Sequence, residues 1–210
     1  MAIPNIDKLY YINLAYRTDR DEQIKKWLTV TNVPAEKIQR INAVHIPGRG
    51  HLGATASHVK ALESFIASGA AVCCIYEDDY IPIDVTTYWS SIQKVFDHAI
   101  DFDVVLLSYN ILDSTPTQYP FLEKVQNSYT ASGYIITREF APRLLENFTY
   151  GFRLAVQEEI RTGRKTHTYC LDIYWKELMS VAKWYVIKPR LGRQLESFSD
   201  IDGRIVNHGV

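Results

Sequence analysis

Three consecutive carboxylates, Glu77-Asp78-Asp79, directly follow an apolar run over residues 70–76. Adjacent carboxylates repel one another, so a cluster set against apolar chain is costly unless a cation offsets it. In extended backbone Glu77 and Asp79 share a side and Asp78 points away. Hard oxygen donors of this kind suit Mn²⁺ or Mg²⁺, which also bind phosphate oxygens. A divalent ion bridging a diphosphate would stabilise it as a leaving group. Asp79 and Glu77 are therefore the expected metal side, with Asp78 beside them in the donor pocket. The plainer alternative is a solvated acidic turn ahead of Pro82.

Four other places carry residue types fit for the same chemistry. The stretch Asn13-Leu14-Ala15-Tyr16-Arg17-Thr18-Asp19-Arg20 ends a strand and opens a helix. Backbone groups at Asn13 and Leu14 suit a base edge, and Arg17 or Arg20 suits a pyrophosphate; otherwise Thr18 or Asp19 merely caps the helix. Ser57 and His58 have donors for sugar hydroxyls or phosphate, or form an ordinary buried pair. Asp172 is the candidate general base that would take the proton of an acceptor hydroxyl in an inverting transfer, against a bland role as helix cap. Tyr174 and Trp175 beside it read either as a sugar-stacking wall or as core. His208, close to the last residue, is a candidate third metal ligand, or solvated.

These residues need a sheet to bring them together. Apolar runs alternate with helical patterns, which predicts an α/β domain with a largely parallel sheet. Strands are expected at residues 8–14, 40–44, 70–76, 103–108, 131–137 and 183–187. Helices are expected at 19–31, 55–68, 85–98, 138–147 and 171–180, with Gly69 capping the second. The glycines of residues 47–53 read as a loop, 109–126 as irregular chain and 192–210 as a loop-like tail. The run over 70–76 is the most apolar and so the expected central strand. Ligands of open α/β sheets lie beyond the carboxyl ends of the strands, where Glu77-Asp78-Asp79 falls.

Composition narrows the classes. With 47% hydrophobic residues among 210, the chain can bury one core, so a single domain is expected. Net charge is -1, so no global field recruits nucleic acid or an anionic membrane. No apolar stretch is long enough to span a bilayer, and residues 1–8 lack a signal-peptide pattern, so a cytoplasmic location is expected. Cys73, Cys74 and Cys170 lack metal-ligand spacing and read as reduced thiols.

The order of these pieces resembles the family 25 glycosyltransferases. The matching segments are Tyr11-Ile12-Asn13-Leu14 with Arg17 and Arg20, Gly53-Ala54-Thr55-Ala56-Ser57-His58, and Ile75-Tyr76-Glu77-Asp78-Asp79. Ser132-Gly133-Tyr134-Ile135-Ile136-Thr137 and, late in the chain, Gln194 before Ser199-Asp200-Ile201 complete the set. The resemblance implies a GT-A-like, Rossmann-like fold, a nucleoside diphosphate sugar donor with a UDP-sugar favoured, a divalent metal, and inversion at the sugar. It extends to viral glycosyltransferase domains that modify a major capsid protein. That would make residues 1–210 the N-terminal domain of a longer chain acting in a host cytoplasm. The expected reaction is hexose transfer to a glycan or glycoprotein hydroxyl. A sugar nucleotidyltransferase and a non-catalytic carbohydrate-binding module are the alternatives.

Overall fold

A computed structural model describes residues 5–199 and 204–206. Eight strands form one mixed sheet: β1 (Lys8–Asn13), β2 (Ile38–Asn42), β3 (Val72–Glu77), β5 (Val104–Leu106), β6 (Asn110–Pro116), β7 (Leu122–Tyr129), β8 (Gly133–Thr137) and β9 (Trp184–Ile187). Their order is β2-β1-β3-β8-β5-β9-β7-β6. Strands β1, β2, β3, β5 and β9 run the same way, and β8 is inserted antiparallel between β3 and β5. The hairpin β6–β7 closes one side antiparallel to β9. This is the expected α/β architecture.

The central strands are buried on both faces, which explains why their sequences read as continuous apolar runs. Side chains alternate between two cores, as the period of two requires. Tyr10, Ile12, Cys73, Ile75, Tyr134 and Ile136 face one core, with Leu62, Phe65, Leu144 and Phe148 of the helices α2 (Gly50–Ser68) and α4 (Ala141–Thr162). Leu9, Tyr11, Cys74, Tyr76 and Ile135 face the other, with Ile24, Trp27, Tyr88 and Ile92 of α1 (Thr18–Val30) and α3 (Tyr88–Asp97). Cys73 and Cys74 are free thiols on opposite faces.

Several expectations are corrected. Helix α2 begins at Gly50, not at residue 55, so most of the stretch 47–53 is not loop. Gly53 is there for close approach rather than for a turn: a Cβ on it would lie 2.5 Å from the Val44 carbonyl oxygen. Ser57 and His58 therefore sit well inside the helix and not at its start. Gly69 does cap it, at φ 74°. Helix α4 runs to Thr162, far past residue 147, through the poor helix formers Thr149, Tyr150 and Gly151. Residues 109–126 are not irregular but carry the β6–β7 hairpin. Pro116 ends an edge strand, where a missing N–H is harmless.

Residues 171–180 form two short helices, α5 (Leu171–Tyr174) and α6 (Lys176–Met179). Trp175 between them is fully buried against Trp184 and Tyr134, so it is core and not a sugar wall. The tail is not all loop. Strand β10 (Gly192–Gln194) pairs antiparallel with β4 (Tyr80–Pro82), and β11 (Ser197–Ser199) with β12 (Arg204–Val206).

Candidate active site

A cavity of about 470 Å³ opens beyond the carboxyl ends of β1, β2 and β3. Its floor is Glu77, Asp78 and Asp79; its walls include Leu14, Arg20, Ser57, His58, Thr130, Asp172 and Gln194. The position follows from topology, because β1, β2 and β3 all end there and β8 begins there.

Strand β3 ends at Glu77, and Asp78 and Asp79 form a turn, so the expected alternation of extended chain does not extend through the triplet. Asp78 points toward β1. It accepts hydrogen bonds from Asn13 Nδ2 at 2.7 Å and from an Arg20 guanidinium nitrogen at 2.8 Å. Asn13 is in turn held by Arg40, whose Nη2 donates to Asn13 Oδ1 at 2.6 Å. Burial raises the Asp78 carboxyl, against the pull of Arg20.

Glu77 and Asp79 converge on one side chain. Gln194 Nε2 lies 3.3 Å from Glu77 Oε2 and 3.4 Å from Asp79 Oδ1. Arg20 reaches Asp79 at 3.2 Å while it serves Asp78. Burial, and then the Glu77 charge, push the Asp79 carboxyl up to about 7. A buried and a partly exposed carboxylate that share one amide form a donor set that fits a hard divalent cation. Among the described residues, no group of three His, Cys, Asp or Glu side chains forms a metal cluster. His208 lies outside the described residues.

Glu77 is fixed from behind by a buried chain. His58 Nε2 lies 3.3 Å from Glu77 Oε1, and His58 Nδ1 lies 3.0 Å from the Tyr134 hydroxyl. In the neutral ring, donation from Nε2 to the carboxylate leaves Nδ1 to accept from Tyr134. His58 and Tyr134 are both fully buried, so each needs the other as a partner.

Asp172 lines the same cavity. It lies in the first turn of α5, whose cap position is Cys170, so it is not the helix cap. The Thr130 amide donates to its Oδ2 at 3.2 Å. Burial raises its carboxyl, and Glu77 adds to the rise.

The expected site residues do not all reach the cavity. Leu14, Ser57, His58, Glu77, Asp78, Asp79 and Asp172 line it. Asn13 stands behind it as a crosslink, and its backbone carbonyl accepts from Ala43. Arg17 is not a cavity residue: its guanidinium forks onto Asp19 through Nε and Nη2 at 3.0 and 2.9 Å. Arg20, one turn on, does line the cavity. Ser57 donates to Gly53 O at 2.6 Å and accepts from Val44 N at 2.8 Å, a bond pair internal to the fold. Sequence reasoning gave no role to Arg40, Tyr134 or Gln194. Gln194 and Tyr134 lay in motif segments, but nothing in their spacing tied them to Glu77.

No known sequence family matches the chain, and no curated protein matches it in sequence. Similarity appears in solved structures. The mannose-1-phosphate geranyltransferase of Thermus thermophilus superposes with a TM-score of 0.55 at 8% identity, over 89% of this chain and 75% of that one. A197 of STIV superposes with a TM-score of 0.52 at 14% identity, over 96% and 93%. A UDP-glucose pyrophosphorylase complexed with UDP-glucose gives 0.50 at 8% identity, over 94% and 97%. At these identities the likeness concerns the fold alone: the chain has the mixed-sheet α/β fold shared by GT-A-type and nucleotidyltransferase proteins.

Proposed function

We propose that this chain is a metal-dependent glycosyltransferase. It moves a hexose from a nucleoside diphosphate sugar, UDP-sugars favoured, to a glycan or glycoprotein hydroxyl with inversion. The observation that carries the reading is the pair Glu77 and Asp79, converging at the carboxyl end of β3 with Asp172 lining the same cavity. Mn²⁺ or Mg²⁺ held by that pair would supply charge stabilisation to the departing diphosphate.

The chain's own groups account for the rest. Arg20 lies at the cavity wall, where it can face a diphosphate oxygen while it anchors Asp78. His58 and Tyr134 hold Glu77 in one orientation. Asp172 accepts the acceptor hydroxyl proton as the new bond to the anomeric carbon forms and the bond to the diphosphate oxygen breaks. Its raised carboxyl makes it a better base than an exposed aspartate.

The fold likeness to a UDP-glucose pyrophosphorylase favours a second reading, nucleotidyl transfer. Against it, the glycine-bearing segment after β2 enters helix α2 at Gly50 instead of forming a long loop to wrap a triphosphate. One assay separates them. A panel of nucleotide sugars with Mn²⁺ and glycan acceptors is expected to release nucleoside diphosphate, and Asp79→Asn is expected to abolish that release. Release of pyrophosphate, from nucleoside triphosphate and sugar phosphate, would select the second reading. Full activity of Asp79→Asn would remove the metal role.

A further inference from the structure

We propose that Gln194 is itself a cation ligand: its amide turns over when the metal binds and presents its oxygen in place of its nitrogen. The inference rests on the reading of Glu77 and Asp79 as the cation-binding pair.

The first observation is where Gln194 sits. One nitrogen reaches a carboxylate oxygen of Glu77 and one of Asp79 at nearly equal distances, 3.3 and 3.4 Å. Both contacts are at the long end of hydrogen bonding, so the nitrogen occupies the space between the two acids without closing fully on either. A cation shared by the two carboxylates would occupy that space.

The second observation is how firmly the residue is placed. In the β4–β10 pair Gln194 stands opposite Tyr80, the residue that follows the acidic turn. The Leu195 amide donates to the Asp79 carbonyl at 2.9 Å, and the Gly192 amide donates to the Leu107 carbonyl at 3.0 Å. The backbone on both sides of Gln194 is thus tied to the acidic turn or to the end of β5, and its side chain stays within reach whether or not an ion is bound.

The third observation is the shortage of other ligands. Asp78 is committed to Asn13 and Arg20. Among the described residues no third His, Cys, Asp or Glu joins Glu77 and Asp79. Mn²⁺ and Mg²⁺ take oxygen donors, and an amide oxygen is one. A primary amide carries its oxygen and nitrogen in one plane, so a half-turn about its last torsion exchanges them. Without the ion the N–H groups face the carboxylates; with it the oxygen does. Glutamine serves both states, whereas a third carboxylate would repel the pair whenever the ion is absent.

The test is Mn²⁺ binding, read from the electron paramagnetic resonance signal of the free ion, with and without UDP. Wild type, Asp79→Asn, Gln194→Leu and Gln194→Glu are compared, and melting in EDTA checks that each variant is folded. Gln194→Leu is expected to weaken Mn²⁺ about tenfold, the lower end of the loss seen when groups around a metal are removed. Gln194→Glu, which keeps an oxygen, is expected to bind Mn²⁺ at least as tightly as wild type. Mn²⁺ binding by Gln194→Leu as tight as, or tighter than, wild type would overturn the proposal, for the amide would then be at most a plug that the ion displaces. Gln194→Met repeats the test if the leucine variant does not fold. Loss of Mn²⁺ in Asp79→Asn with none in Gln194→Leu sinks the Gln194 role alone. Absence of Mn²⁺ binding in wild type sinks the metal reading with it.

Discussion

Asp78 and Asp79 are neighbours in the chain and almost equally buried, at 6% and 8% exposure, yet their surroundings differ in kind. Asp78 meets a full positive charge from Arg20 and a short bond from Asn13, which Arg40 braces from behind. Asp79 has a longer share of the same arginine and a weak bond from a neutral amide. Its neighbour across the gap, Glu77, is held by His58 and Gln194. The first corner is matched in charge and serves as a joint between β1, α1 and β3. The second sets two carboxylates close together with less positive charge to match them, which a fold tolerates at a cost and a cation would relieve. Position in an acidic motif does not settle what a carboxylate does; the charges its neighbours bring decide it.

The largest effect that tests this contrast is on stability. Arg20→Met leaves Asp78 buried with its main partner gone, and removing one side of a buried ion pair costs about 3–5 kcal/mol. For a chain of this size each kcal/mol lowers the melting temperature by roughly 2–4 °C, so a fall of about 10 °C is expected by calorimetry. Asp79→Asn, measured in EDTA, should hold or raise the melting temperature, because it removes one of two crowded like charges. Equal destabilisation by the two substitutions would erase the distinction between the corners.

Asp172, in the same cavity, gives the next effect. Asp172→Asn is expected to lower turnover about 10²–10³-fold, in the range for loss of a general base, with donor KM little changed. Burial raises the Asp172 carboxyl, Glu77 adds to the rise, and the Thr130 amide opposes both. The ionised form is the base, so kcat should climb with pH through a value above the ordinary aspartate figure of about 3.9. The residual activity of Asp172→Asn should lack that acid limb. A limb at or below the ordinary value would place the proton transfer on another group.

Much of this site is legible in the sequence. Buried strands declare themselves by apolar runs, and a triplet of acids after the most apolar run lies where α/β sheets bind ligands. The surroundings of Asp78 and Asp79 are not legible in the same way, because the chain turns there instead of staying extended, and Arg20 reaches both. Other features depend on contacts far apart in sequence. Gln194 comes to Glu77 only because β10 pairs with β4, an association that its three residues do not advertise. Tyr134 finds His58 across the sheet-to-helix interface. Arg17 and Arg20 look interchangeable in sequence, yet in the fold Arg17 forks onto Asp19 while Arg20 reaches Asp78 and Asp79. The β6–β7 hairpin hides behind prolines that suit an edge strand as well as a loop.

Ser57 gives the smallest effect and the sharpest check on motif reading. It stands beside His58 in the segment that resembles a donor-binding motif, and it touches the cavity. Its hydroxyl, however, is used twice within the fold: it donates to the Gly53 carbonyl and accepts the Val44 amide. The second bond secures the chain after β2 against α2, at the same contact that requires glycine at position 53. Ser57→Ala leaves the Val44 N–H without that partner, a loss of about 1–3 kcal/mol, or a few degrees in melting temperature. Donor affinity, measured by calorimetry with UDP and Mn²⁺, should change less than twofold, about 0.4 kcal/mol. A weakening of UDP well beyond that, with the melting temperature intact, would move Ser57 from the scaffold to the ligand and make the motif's two residues partners in binding.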